Sequence, residues 1–174
     1  MMIAVSKSTW QWIPCMAHTL QLVITNAKKE NLGLDDVLSK VRAIAGHYKR
    51  SSKARSSLSR WQKQRVLQHE LIQDVEMRWN SEYHMMERLL EQQESIAAHL
   101  VSKAVETLNS SEWSLVAGIV KILEPIDQAT IQLCSDKYPS LSLKSPLIYE
   151  IQSVLERHRE KRNTEVVSCL QEVY

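Results

Sequence analysis

The sequence predicts a mainly α-helical protein. Along most of the chain, apolar residues recur at three- and four-residue intervals, as they do on one face of an α-helix. Glycine and proline are scarce, with three and four copies in 174 residues, whereas β-sandwiches and barrels use such turn residues freely. The length corresponds to roughly one domain. We therefore expect about six helices and at most one or two short strands.

The N-terminal part predicts a short strand followed by a helix. Pro14 biases the residue before it toward extended geometry, so a strand is expected over residues 12–15. A helix over residues 16–29 follows and should end before Gly33. Four apolar residues at helical spacing form its expected inward face: Leu20, Val23, Ile24 and Ala27.

A second helix and a strongly basic third helix are expected next. The apolar residues of the second helix keep regular spacing from Leu34 to Tyr48. Ser51 or Ser52 can begin the third helix, since an N-cap serine accepts a hydrogen bond from a free backbone N–H. Residues 71–79 show no clear period and predict an irregular link.

Longer helices are expected in the second half. Asn80 is the predicted N-cap of one helix that continues as far as Leu108. Ser111 should cap the next helix, within which Pro125 introduces either a kink or a new start. A last helix is expected over residues 145–162.

The formal charge of +2 conceals an uneven distribution. Residues 37–69 contain nine Lys and Arg and no Asp or Glu, whereas the remaining residues contain thirteen basic and twenty acidic side chains. This basic segment therefore carries about +9 and the rest about −7. Such a potential attracts phosphate, to which the interleaved serines can also hydrogen-bond. The alternative is a solvated helix that pairs with the acidic remainder of the fold.

The sequence lacks the residues that several functional classes of protein need. The three cysteines are odd in number and widely spaced, so a disulfide framework is not expected and a reducing compartment is the default. Neither a membrane-spanning run nor a signal peptide is present in the sequence. There is no nucleophile elbow, phosphate-binding glycine loop or HExxH motif. The five histidines outside the motif described next are expected on helix surfaces.

Cys15 and His18 form a CxxH motif. A tetrahedral zinc site needs four ligands, or three and a water, so this pair alone predicts no metal site. The alternative is packing at a strand-to-helix junction. Arg78 and Trp79 stand just before the predicted long helix, where an arginine beside an indole suits phosphate contact and base stacking. The alternative for Trp79 is a buried plug under the loop.

The order and spacing of several segments resemble the transposases of the hAT superfamily, and most of all their domesticated relatives, the zinc-finger BED-type proteins. The most specific segments are IPCMAHTLQL at residues 13–22, HYKRSS at 47–52 and DVEMRWNS at 74–81, which includes Asp74. YHMMERLL at 83–90, ILEPI at 122–126, AT at 129–130 and YPSLS at 138–142 complete the series.

The resemblance implies a place for this chain in a larger protein. In such transposases a long helical domain is inserted into an RNase H-like core that binds metal through three carboxylates. Residues 1–15 would then be a severed edge of the core, and residues 16–174 the helical insertion. The catalytic carboxylates are expected outside this chain, so no catalytic residue, metal or cofactor is assigned here.

The resemblance also implies that Arg78 and Trp79 match a family pair whose tryptophan stacks on DNA bases. Met77 and Glu82 depart from the family pattern at this place, and the negative charge of Glu82 weakens an inherited DNA contact. Seven residues are therefore the candidate DNA contacts: Lys49, Arg50, Lys53, Arg55, Arg60, Arg78 and Trp79.

These observations lead to one functional hypothesis and two alternatives. The first is a non-catalytic fragment of a transposase-derived nuclear protein that contributes to DNA binding or assembly. The second is an interaction or dimerisation scaffold without DNA contact, and the third is part of an active transposase. DNA and a second copy of the full-length protein are the expected partners, whereas a membrane and a small-molecule substrate are not.

Overall fold

The computed structural model describes residues 15–30, 33–62, 69–75, 78–100, 106–134 and 142–171. All regular structure in these ranges is helical: α1 Met16–Lys29, α2 Leu34–Arg50, α3 Ser52–Gln62, α4 Trp79–Glu91, α5 Gln93–Leu100, α6 Ser110–Leu133 and α7 Lys144–Gln171. The mainly α prediction is confirmed, and the described ranges contain seven helices where about six were expected for the chain. Apart from Cys15, the predicted strand lies outside the described residues.

Helix α4 lies at the centre of the fold, where it packs against α1, α2 and α6. Its side chains Met85, Met86 and Leu89 are almost completely buried, and they share one core cluster with Val41 and Ile44 of α2. Helix α3 packs against α2 and α5, and α7 packs against α6. The α2–α3 junction therefore lies to one side of the α1, α2, α4 and α6 bundle.

The inward face of α1 is narrower than predicted. Leu20 and Ile24 are buried as expected, but Val23 is 58% exposed and Ala27 is also exposed. Leu20, Ile24 and Lys28 follow one another at four-residue intervals, so they share one side of the helix. That side ends at Lys28, whose ammonium group bonds to Glu82 of α4. Val23 lies next to this side of the helix rather than on it.

Two of the predicted helix starts were each wrong by two residues. Helix α6 is capped by Asn109 rather than Ser111: the Asn109 side chain accepts from the Glu112 N–H at 2.9 Å, and Glu112 accepts from the Asn109 N–H at 2.8 Å. This capping box satisfies two helix-end donors at once, which Ser111 could not do. For α4 the N-cap is Arg78, because the Asn80 side chain instead bonds to Asp127.

Other predicted boundaries agree with the structure. Ser51 caps α3, where its hydroxyl accepts from the Ala54 N–H at 3.1 Å. Helix α6 continues through Pro125 as one helix. Residues 69–75 are irregular, as expected for the start of the link, and they are called the linker segment below.

The single long helix predicted from Asn80 to Leu108 is divided in the structure. It breaks at Gln92, and residues 106–109 are non-helical. Gln92 is buried, and its amide bonds to groups outside its own helix. The break changes which face points inward, so Ile96 and His99 are buried whereas Ala97, which had been predicted inward, is exposed.

Candidate nucleic-acid interface

Five exposed cations of the basic segment, at the end of α2 and along α3, are together called the cationic surface. Lys49 and Arg50 end α2, and Lys53, Arg55 and Arg60 follow on α3. All five are exposed, and none forms an ion pair with a described residue. Two further cations of the basic segment, Lys63 and Arg65, lie outside the described residues.

A groove of about 800 Å³ runs beside this surface, between α3 and the linker segment. Three of the cations, Lys49, Arg55 and Arg60, line it. Ser52, Ser56 and Ser59 also line it, and hydroxyl groups there can bond phosphate oxygens. The opposite wall consists of residues 70–73. The structure thus brings three predicted DNA contacts into one concave site with hydrogen-bonding groups.

Two sets of hydrogen bonds hold the linker segment in place as a wall of the groove. At its start, the Gln62 amide donates to the His69 carbonyl at 3.0 Å and to Gln92 Oε1 at 2.6 Å, while Gln92 Nε2 also donates to the His69 carbonyl. At its end, Arg42 Nε donates to Asp74 Oδ2 at 2.7 Å. Because both ends are fixed by buried or partly buried partners, the groove is formed without a ligand.

The Arg42–Asp74 pair belongs to a larger ion-pair network. Arg42 Nη2 donates to Glu82 Oε2 at 2.8 Å, and Lys28 Nζ donates to the same oxygen at 2.6 Å. Burial lowers the pKa of the Arg42 guanidinium, but the hydrogen bond to Asp74 and the charges of Asp74 and Glu82 outweigh it and raise the pKa. The network joins α1, α2, α4 and the linker segment.

Lys40 is also used inside the fold. Its Nζ lies 2.7 Å from Glu106 Oε1 and 2.9 Å from Glu112 Oε1. Hydrogen bonds from Glu106 and then Glu112 raise the pKa of the Lys40 ammonium. The basic segment therefore divides: Lys40 and Arg42 pair with the acidic remainder, as one alternative expected, whereas the five cations of the cationic surface face solvent.

The residues of the DVEMRWNS motif that the structure describes mostly stabilise the fold. Trp79 is only 4% exposed and packs beside Tyr83, which is the plug arrangement. Asn80 Nδ2 donates to Asp127 Oδ1 at 2.7 Å, and the Ser81 hydroxyl bonds to both the N–H and the carbonyl of Val75. Arg78 is exposed, but neither it nor Trp79 lines the groove. Base stacking by Trp79 stays a prediction, and the indole would have to leave the core to do it.

The chain matches a known family model and is similar to known proteins. The model of the ZBED1 RNase-like helical domain matches residues 13–122 of the chain. Human zinc finger BED domain-containing protein 4 is 31% identical over 139 residues, which is 79% of this chain and 12% of that protein. The mouse zinc finger BED domain-containing protein 6 is 31% identical over 158 residues, or 90% of this chain and 16% of that protein. The chain belongs to the zinc finger BED domain-containing protein family.

This identification confirms the resemblance drawn from the sequence. The chain spans only about an eighth to a sixth of the curated relatives' length. No solved structure matches it. The matched residues of this BED-family domain include the cationic surface, the linker segment and α4, whereas α7 lies beyond them. In the described ranges, no helix is both long and apolar enough to cross a membrane.

The CxxH motif of this BED-family domain begins α1. Cys15 is the N-cap residue, and its carbonyl accepts from both the N–H and the hydroxyl of Thr19 at 3.0 Å. Cys15 and His18 are both exposed. Among the residues that the structure describes, no three His, Cys, Asp or Glu side chains are grouped to hold a metal ion.

Sequence reasoning missed one buried polar pair. His99 was expected at the surface, but it is buried, and its Nδ1 lies 2.7 Å from the Tyr48 hydroxyl. Burial raises the pKa of the Tyr48 phenol, so this group stays protonated and can donate to the histidine. His99 lies three residues after buried Ile96 and seven after buried Gln92, a helical spacing that could have indicated its burial.

Proposed function

We propose that this BED-family domain is a non-catalytic part of a transposase-derived nuclear protein and that it binds the phosphates of DNA through the cationic surface. One observation carries the proposal. Five cations of one segment face solvent without ion-pair partners among the described residues, and three of them line a preformed groove. Each unpaired cation that meets a phosphate releases a condensed counterion, which is the main source of non-specific affinity for DNA.

Three acidic residues in or next to the motifs support a structural role rather than a catalytic one. Asp74 and Glu82 are committed to Arg42 and Lys28, and Asp127 is 2% exposed beside the Asn80 amide. Metal-dependent strand cleavage needs carboxylates that converge on open coordination positions. Side chains that are already paired and buried fit the packing of the fold instead.

The test compares two triple variants that remove the same charge. Lys53→Gln, Arg55→Gln and Arg60→Gln together neutralise part of the cationic surface, and Lys29→Gln, Lys121→Gln and Arg159→Gln neutralise exposed cations elsewhere. Fluorescence anisotropy with a labelled DNA duplex should show a loss of about tenfold or more for the first variant and a loss below about threefold for the second. Losses should be similar for duplexes of different sequence, since phosphate contacts carry no sequence information.

Equal losses of affinity in the two variants would show that only net charge matters. An affinity that does not change with salt concentration would contradict phosphate binding altogether. The alternative function, an interaction scaffold without DNA contact, draws on the ion pairs that Lys40 and Arg42 form with acidic residues of the same chain. In that case sedimentation should show a dimer whose dissociation depends on salt, and the duplex should not bind.

A further inference from the structure

Three apolar side chains line the groove and are together called its apolar floor: Leu58 on α3 and Leu71 and Ile72 on the linker segment. Leu58 is 4% exposed and Leu71 is partly buried, whereas Ile72 is 38% exposed and presents an apolar side chain to the groove. Lys49, Arg55 and Arg60 line the same groove. A site that binds only phosphate gains nothing from exposed apolar surface, because phosphate oxygens remain solvated or bonded to cations.

An acidic side chain lines the same groove. Glu70 is exposed, and it forms no ion pair with a described residue. Its carboxylate would repel a continuous row of phosphates. It can, however, accept a hydrogen bond from the exocyclic amino group of a base, as carboxylates do with cytosine N4. Cations, an apolar floor and an acceptor therefore suit a ligand with an anionic part, a flat apolar part and an amino group.

Resting on the proposed function, we infer that the groove binds an unpaired nucleotide of single-stranded nucleic acid. The base lies on Leu58, Leu71 and Ile72, and the flanking phosphates contact Lys49, Arg55 and Arg60. A duplex keeps its bases stacked inside, so it reaches the cations but leaves the apolar floor in water. A flexible single strand satisfies both, and its affinity combines apolar contact with phosphate contact.

The first experiment separates the floor from the cations. Anisotropy is measured with labelled oligo(dC), oligo(rC) and a mixed-sequence DNA duplex of equal length. The full chain should bind the single strands more tightly than the duplex. Ile72→Ser should weaken single-strand binding about fivefold and leave duplex binding unchanged, since it removes apolar contact without changing charge. The matched control is Val23→Ser, which alters an exposed apolar residue on α1. Comparing oligo(dC) with oligo(rC) distinguishes DNA from RNA.

The second experiment tests the acceptor. Oligo(dC) should bind about fivefold more tightly than oligo(dT), because thymine lacks the amino group. Glu70→Ala should remove most of this preference, because it removes the acceptor, which glutamine would keep in its amide oxygen, and it changes an exposed side chain outside the core. This variant therefore gives a reading that does not depend on how Ile72→Ser affects stability.

The two proposals fail in different ways. If the charge-neutralised triple variant weakens duplex and single strand alike but Ile72→Ser and Glu70→Ala change nothing, the groove does not hold a base, whereas binding of phosphate by the cationic surface is supported. Tighter binding of the duplex than of either single strand would also overturn the inference. If neutralisation has no effect on any nucleic acid, the proposed function itself is wrong. Binding of oligo-glutamate at equal affinity would instead indicate an acidic peptide ligand.

Discussion

The role inferred for Glu82 from the sequence differs from the role that the structure shows. In the sequence it departs from the family pattern and places a negative charge beside a presumed DNA contact. In the structure its carboxylate is buried and accepts from both Lys28 and Arg42. Removing one member of a buried charge pair is more damaging than the pair is stabilising, because the partner keeps its desolvation cost. The charge of Glu82 is thus balanced inside the fold and is not presented to DNA.

Variants of Trp79 test whether its indole is a buried plug in the core or a platform on which DNA bases stack. Because the indole is buried next to Tyr83, Trp79→Ala should lower the free energy of unfolding by about 3–5 kcal/mol, as for other buried tryptophans. Trp79→Phe keeps much of the volume and should cost less than about 1.5 kcal/mol. Urea denaturation followed by circular dichroism measures both values.

The same two variants also show whether Trp79 contributes to DNA binding. If Trp79 is a plug, Trp79→Phe should bind duplex and single strand as the parent chain does. A variant that unfolds at the parent's urea concentration but binds DNA at least about tenfold more weakly would show instead that the indole contacts bases.

At the scale of the element, helix ends were harder to predict than helices. The 3.6-residue pattern located α1, α2 and α6, because burial of one face sets that pattern. The start of α6 depended on a reciprocal pair of bonds between Asn109 and Glu112, and two adjacent serines offered a competing cap. The break at Gln92 depended on an amide that bonds to the distant His69 carbonyl, and no local pattern encodes such a contact.

The α6 capping box should make stability depend on pH. The backbone hydrogen bond from Asn109, and then the bond from Lys40, lower the pKa of Glu112 below its ordinary 4.5. A carboxyl group whose pKa is lower in the folded state adds stability above its unfolded pKa and loses it as pH falls through the folded value. Glu112→Gln should therefore be less stable than the parent at pH 7, and the difference should shrink as the pH falls below the ordinary glutamate pKa of 4.5.

Urea titrations at several pH values measure this difference. The control is Glu150→Gln, which changes an exposed carboxylate of α7. A difference that stays constant, or that grows in acid, would show that the charge of Glu112 does not contribute and that only the shape of the cap matters.

At the scale of the whole molecule, the sequence predicted the mainly α class, the basic segment and the family, but not how the basic segment is divided. No acidic residue interrupts its nine cations, and nothing local distinguishes Arg42 from Arg55. The difference arises from tertiary packing, which places Asp74 and Glu82 beside Arg42 and leaves Arg55 in a groove. Likewise, the groove needs the linker segment as its second wall, and that segment has no periodicity.

The central claim is that Lys40 and Arg42 stabilise the fold, whereas the cations of the cationic surface bind phosphate. The salt dependence of duplex binding tests it most directly, because the slope of log affinity against log salt falls by about 0.9 for each phosphate contact removed. The triple variant Lys53→Gln, Arg55→Gln and Arg60→Gln should lower the slope by up to about 2.7. Lys40→Gln should leave the slope unchanged and reduce only stability. An unchanged slope in the triple variant, or an equal change per charge in Lys40→Gln, would contradict the account.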